Sequence, residues 1–130
     1  MPNQIVVAGA VICDCTVLVA QRRRPPELAG CWELPGGKVA PGETESDALT
    51  RELAEELGVA IEVRERLGDD IALNPTTTLR AYRVSLLGGV PHPHDHSALR
   101  WVTAAELPDL DWVPADRGWL PALTRALGTR

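Results

Sequence analysis

GKVAPGETESDALTRELAEELGV, residues 37–59, sets a glycine turn directly ahead of a helix, and the rest of the fold is read outward from it. Thr44 is a good N-cap, with Asp47 three residues on, close to a capping box. Residues 44–57 carry helix formers, and Gly58 is the stop expected at the C′ position. Ala48, Leu49, Leu53 and Leu57 fall on one helical face, which is the face to bury. Upstream, Trp32-Glu33-Leu34-Pro35-Gly36-Gly37 reads as extended chain that turns sharply at the two glycines.

The flanks supply strands. Residues 4–13 (QIVVAGAVIC) and 16–21 (TVLVAQ) are β-rich, with Asp14-Cys15 as a hairpin turn between them. Arg22-Arg23-Arg24-Pro25-Pro26 must be loop. Residues 59–67 and 78–87 read as two longer strands, with GDDIALNPT (68–76) between or partly within them. Residues 98–102 form a short strand. Thr103 caps a brief helix that stops before Pro108, and Leu120, Leu123 and Leu127 mark a last helix over about 119–127. Strands, helix, strands, helix is the order of an α/β fold, here an α/β/α sandwich around a mixed, curved sheet. The chain of 130 residues has no repeat or low-complexity tract, so residues 1–130 are expected to be one domain.

Apolar residues make up 45% of the chain, enough for a packed core, but there is no Phe. The net charge is −5 and is carried by one segment. Residues 33–56 hold seven acids against two bases, and the remaining residues hold eleven of each. An acidic chain with so short a basic run is a poor general binder of nucleic-acid polymers. No apolar stretch reaches membrane-span length, and the N-terminus lacks the basic region of a signal peptide. Three cysteines, an odd number, argue for free thiols in a reducing, cytoplasmic setting.

Glu52, Glu55 and Glu56 lie at i, i+3 and i+4, within roughly 100° of one helical face. Like charges so placed repel, and Arg51 alone cannot neutralise three. Such a cluster is either a solvated acidic face or a site for a hard cation such as Mg²⁺ or Mn²⁺. A glycine loop beside it can add a backbone carbonyl and Lys38. A Mg²⁺ held this way completes its octahedron with polyanions, usually phosphates.

These same residues resemble the Nudix box: Gly, five residues, Glu, seven residues, Arg-Glu, an aliphatic, one residue, Glu-Glu, one residue, Gly, an aliphatic. Gly37, Glu43, Arg51, Glu52, Leu53, Glu55, Glu56, Gly58 and Val59 meet every fixed position. The resemblance implies a Nudix fold and Mg²⁺-dependent hydrolysis of a nucleoside diphosphate linked to another group. It implies metal ligands at Gly37 (carbonyl), Glu52, Glu55 and Glu56. Glu52 is favoured as base, and Arg51 and Glu43 become orienting partners.

The short chain, Leu-Pro-Gly-Gly-Lys at 34–38 and Arg22 upstream look like MutT-type enzymes, which convert a nucleoside triphosphate to a monophosphate and pyrophosphate. By that resemblance Arg22 and Lys38 contact phosphate, Glu33 accepts from a sugar hydroxyl, and Asp95, six residues before Trp101, is a loop carboxylate for metal or base. Against these stand plain solvated or outward-facing roles for Arg22 and Glu33. His92, His94 and His96 alternate with Pro and Asp, simpler as a mobile loop than as a zinc site. Asp116 stands where oxidised-guanine enzymes of this type carry Asn. A carboxylate only accepts hydrogen bonds, which suits the cytosine amine, and Pro-Ala-Asp resembles bacterial CTP pyrophosphohydrolases. Asp116 could instead cap the last helix.

The expected activity is therefore pool-cleaning hydrolysis of CTP, dCTP and modified cytosine nucleotides. The alternative is an 8-oxo-dGTP diphosphatase, with other Nudix substrates and a non-enzymatic nucleotide-binding domain behind it. The expected partner is a nucleoside triphosphate, not a nucleic-acid polymer or a membrane, and the resemblance allows a homodimer.

Overall fold

A computed structural model describes residues 3–128. The chain runs β1 (Gln4–Cys13), β2 (Thr16–Gln21), β3 (Trp32–Glu33), β4 (Gly36–Lys38), α1 (Glu45–Leu57), β5 (Ala60–Asn74), β6 (Thr77–Gly88) and β7 (Ala98–Thr103). Two 3-10 turns, Ala104–Asp109 and Pro114–Trp119, lead into α2 (Leu120–Leu127). The sheet order is β3-β2-β1-β6-β5, with β4 added on β1 and β7 on β2. β1 and β6 are parallel, from Gln4↔Thr77 to Val11↔Val84, and the other strand pairs are antiparallel, so the sheet is mixed.

Both faces are covered. On one, Leu49, Leu53 and Leu57 of α1 pack against Val7, Val11 and Val84. On the other, Leu123 and Leu127 of α2 join Trp112, Trp119, Leu34 and Val102. Trp112 and Trp119 fill the second layer, where a chain without Phe needs large side chains. The fold is the expected α/β/α sandwich.

α1 begins as its sequence dictates. Thr44 Oγ1 accepts from Asp47 N at 3.0 Å, and Gly58 closes the helix with φ 72°. Asp14 and Cys15 turn the β1–β2 hairpin with φ of 49° and 63°. Cys13, Cys15 and Cys31 are free thiols.

Two expectations are corrected and one is narrowed. Of the two readings of residues 68–76, between the strands or partly within them, the second holds, because β5 continues to Asn74. Register slips between Val63 and Arg66 and between Leu67 and Ile71 absorb extra residues and hide the two-residue period. The turn after Thr103 runs through Pro108 to Asp109. It is a 3-10 turn, fixed at its start by the reciprocal Thr103–Glu106 cap. Pro114–Trp119 is an unforeseen turn that carries Asp116 inward, so Asp116 does not cap α2.

Candidate active site

The strand–turn–helix unit builds the acidic end of the site. β4 lies against β1, and the approach is so close that a Cβ on Gly36 would overlap the Val7 carbonyl and come within 2.8 Å of Ala8 Cα. A Cβ on Gly37 would run into the Glu52 carboxylate. Glycine here therefore sets the glutamate of α1 directly against the backbone of β4.

Arg51 spreads its donors over this corner. Nε and Nη2 hold Glu43 at 2.8 and 3.0 Å, Nη1 reaches Glu52 and Glu55 at 3.3 Å each, and Nη2 also donates to the Lys38 carbonyl at 3.2 Å. Glu43 takes a further bond from Ala40 N at 2.9 Å. The Arg51 bonds, then the Ala40 bond, hold the Glu43 carboxyl down at about 2.

Glu56 has no such relief. Its Oε1 is buried without a hydrogen-bond partner. Burial first, then the charge of Glu52, pushes its pKa up to about 9. An orphaned buried carboxyl oxygen beside Glu52, an exposed Glu55 and a glycine cradle form a hard-oxygen donor set that fits Mg²⁺ or Mn²⁺. Among the described residues, no three acidic, histidine or cysteine side chains already converge as a finished metal cage. Arg51 holds Glu52 and Glu55 instead.

A cavity of about 430 Å³ opens beside this corner. Lys38 and Gly37 line one part, Glu33 and Arg22 another, and Asp116, Leu34 and Trp119 a third. Arg22 is not free: Nη1 bridges both Glu33 oxygens at 3.0 and 3.2 Å, and Nε donates to the Arg24 carbonyl at 2.9 Å. Asp95 sits on the surface, paired with Arg24 at 2.7 Å, although its charge is still felt by Glu56.

Asp116 is 6% exposed, and its Oδ2 accepts from Leu34 N at 2.9 Å. Burial outweighs that bond and pushes its pKa up to about 7. The cytosine preference supposes an ionised Asp116, and burial at this position works against the ionised form.

The histidine loop is not simply mobile. His92 N and His94 N donate to the carbonyls of Leu57 and Glu56, each at 3.0 Å, and close the last turn of α1. His96 turns inward beside Glu33 and Glu56. Sequence reasoning missed it, because no local pattern separates His96 from His92 and His94. Its burial follows from β7 docking on β2, where Ser97 N begins the pairing by donating to the Gln21 carbonyl at 2.9 Å.

The sequence description of the NUDIX domain matches residues 3–123. The chain belongs to the Nudix family. A Mycobacterium tuberculosis protein provisionally named 8-oxo-dGTP diphosphatase 2 is 72% identical over 130 residues, covering 98% of this chain and 92% of the relative. The CTP pyrophosphohydrolase of Escherichia coli is 37% identical over 113 residues, 85% of this chain and 84% of the relative. The solution structure of the E. coli ORF135 protein superposes with a TM-score of 0.84 at 32% identity, covering 100% of this chain and 94% of that one. As a Nudix hydrolase, the chain is an enzyme acting on a nucleotide substrate. No helix among the described residues is long and apolar enough to cross a membrane.

Proposed function

We propose that this single Nudix domain hydrolyses nucleoside triphosphates to monophosphate and pyrophosphate with Mg²⁺, and that 8-oxo-dGTP is its leading substrate. The observation that carries the base preference is the state of Asp116. At a pKa of about 7, the buried carboxyl can accept a hydrogen bond when ionised or donate one when protonated. Protonated, it can donate to O6 of 8-oxoguanine and still accept, through an oxygen lone pair, from the N7–H that oxidation creates. An ionised carboxylate would repel O6, and protonation removes that repulsion. The 72% identical relative supports the same choice.

Glu52, Glu55, Glu56 and the Gly37 carbonyl are the ligands that would hold the cation. Bound there, Mg²⁺ supplies positive charge for the phosphate oxygens and lowers the pKa of a bound water. Arg51 keeps Glu43 and Glu52 oriented, and Glu52, held 3.3 Å from Arg51 Nη1, would take the proton of the attacking water. Asp95 is reserved for the same corner once it leaves Arg24. Lys38 and Arg22 bring charge to the triphosphate. Asp116 and Leu34, both buried, would hold the base end.

A second reading, cytidine triphosphates, keeps support from the 37% identical CTP pyrophosphohydrolase and from an ionised Asp116, which accepts from the cytosine amine. A panel of 8-oxo-dGTP, dGTP, CTP, dCTP and 5-methyl-dCTP with Mg²⁺ at pH 7 separates the two. The expected result is kcat/KM highest for 8-oxo-dGTP, with pyrophosphate as the second product. A cytidine nucleotide at the top reverses the order, and orthophosphate as the product removes the reaction.

A further inference from the structure

His96 is a histidine the proposed mechanism leaves without a task, yet it is among the least exposed polar side chains of the protein, at 6%. Its Nε2 lies 2.9 Å from Glu33 Oε2. Glu33 is an acceptor, so Nε2 carries the proton and donates. Nδ1 faces Glu56 Oε1 at 4.0 Å, and neither atom has a hydrogen-bond partner. The carbonyl of His96 is also tied, accepting from Arg23 Nη2 at 3.0 Å. The ring is thus fixed from the backbone side and spans from one carboxylate to the other.

Glu33 is the part of the cavity this ring controls. Arg22 and His96 together take up one lone pair of Oε1 and both of Oε2, so the carboxylate cannot rotate without losing bonds. The remaining acceptor capacity is left for the cavity that Glu33 lines. Glu33 adjoins Leu34, whose N donates to Asp116, and it faces Glu56 across the His96 ring, which places it between the base end and the acidic end. In a nucleotide laid along that cavity, the groups between base and phosphate are sugar hydroxyls, and these are donors.

We propose that His96 is a positioning residue for sugar recognition: its Nε2–H locks Glu33 in the orientation that accepts the 3′-hydroxyl of the nucleotide. This rests on the proposed nucleoside triphosphate substrate. Arg22 bonds Glu33 from a partly exposed position, whereas the imidazole that bonds it on the other side is buried. The role is read through one ratio, the dissociation constant of a 2′,3′-dideoxynucleotide divided by that of the deoxynucleotide.

The experiment is calorimetric titration of dGTP and ddGTP into the full chain, with Ca²⁺ replacing Mg²⁺ to suppress turnover. Wild type is expected to bind dGTP about tenfold more tightly than ddGTP, from one charge-assisted hydrogen bond. His96→Ala is expected to bring that ratio near one by weakening dGTP alone. His96→Gln, whose amide reaches the place of Nε2, is expected to restore it, and His96→Asn, one bond shorter, is not. A structural role would weaken both nucleotides equally and leave the ratio unchanged, and that result overturns the assignment. Should His96→Ala not fold, the Gln and Asn pair gives the same contrast, and equal ratios in that pair overturn it. A wild type that binds neither nucleotide removes the proposed function and this assignment with it. Binding with an unchanged ratio in the variants removes this assignment alone.

Discussion

α1 presents acids at both ends, and the two ends are treated in opposite ways. At the first turn, Glu45 receives Arg80 Nη1 and the Tyr82 hydroxyl, each at 2.6 Å. Arg80 Nε reaches on to Asp70 at 3.1 Å, and Arg66 pairs with the same aspartate. About two to three turns later, Glu52 and Glu55 share one arginine that already serves Glu43, and Glu56 has none. The first end is a closed ledger of charges across α1, β5 and β6, and such pairs hold elements together. The second end has more negative charge than the fold can satisfy, including a buried oxygen with no partner. Ionising a group of that kind without a partner destabilises the protein, and the proposed cation would offset that cost.

The largest effect should come from breaking the unmatched end. Glu52→Gln and Glu56→Gln are each expected to lower kcat by about 10²- to 10⁴-fold, since each removes a proposed cation ligand and the first also the proposed base. Glu56→Gln should at the same time stabilise the protein without metal. The folded-state pKa of Glu56 is raised, so its contribution is intact below the unfolded value near 4.5 and is lost as pH climbs towards about 9. A melting temperature at pH 9 higher by at least about 3 °C, alongside lost turnover, is the expected pair of results. Lower stability together with lost turnover would place Glu56 with the structural acids.

Asp116 should give the next effect, in selectivity rather than rate. As pH rises from 6 to 8.5, Asp116 loses its proton and can no longer donate to O6. The ratio of kcat/KM for 8-oxo-dGTP over CTP is expected to fall about tenfold across that range. In Asp116→Asn, which both donates and accepts at every pH, the ratio should be flat. Asp116 is also a raised carboxyl, so its stability contribution is present below about 4 and is lost as pH rises through about 7. Asp116→Asn should therefore melt higher than wild type at pH 8, by no more than about 4 kcal/mol of stability. A pH-dependent ratio that survives the substitution would assign the proton to another group.

The same contrast explains what the sequence could and could not tell. α1 was legible in full, because its cap, its leucine face and its glycine stop are local signals within residues 44–58. The glutamates were legible for the same reason, since helical spacing alone puts them on one face. Asp116 was singled out by its Pro-Ala-Asp context, but its burial on the cavity was not legible, because it rests on packing beside Leu34, 82 residues away. His96 was invisible, because its two carboxylate neighbours lie 63 and 40 residues back along the chain. The end of β5 was left open between two readings because its extra residues break the alternation, and only the pairing partner in β6 shows how far the strand goes on. Local chemistry announces itself, whereas groups whose properties come from tertiary burial do not.

The matched end of α1 should yield the smallest effect, and it is the control for the rest. Tyr82→Phe deletes the hydroxyl that donates to Glu45 and leaves the ring in place under the Arg66 guanidinium, 5.7 Å from the ring centre. Glu45 keeps Arg80, so no buried charge is orphaned. The loss should be that of one hydrogen bond to a charged group, about 1–2 kcal/mol, read as a shift in urea midpoint at unchanged slope. Burial first, and then the bond to Glu45, raise the Tyr82 pKa above its ordinary value near 10, so the deficit should be constant from pH 5 to 9. Turnover of 8-oxo-dGTP should stay within about twofold of wild type, because the matched end only ties the start of α1 to β6. A tenfold loss of kcat would mean that the first turn of α1 sets the position of Glu52 and Glu56, and that the two ends act as one unit.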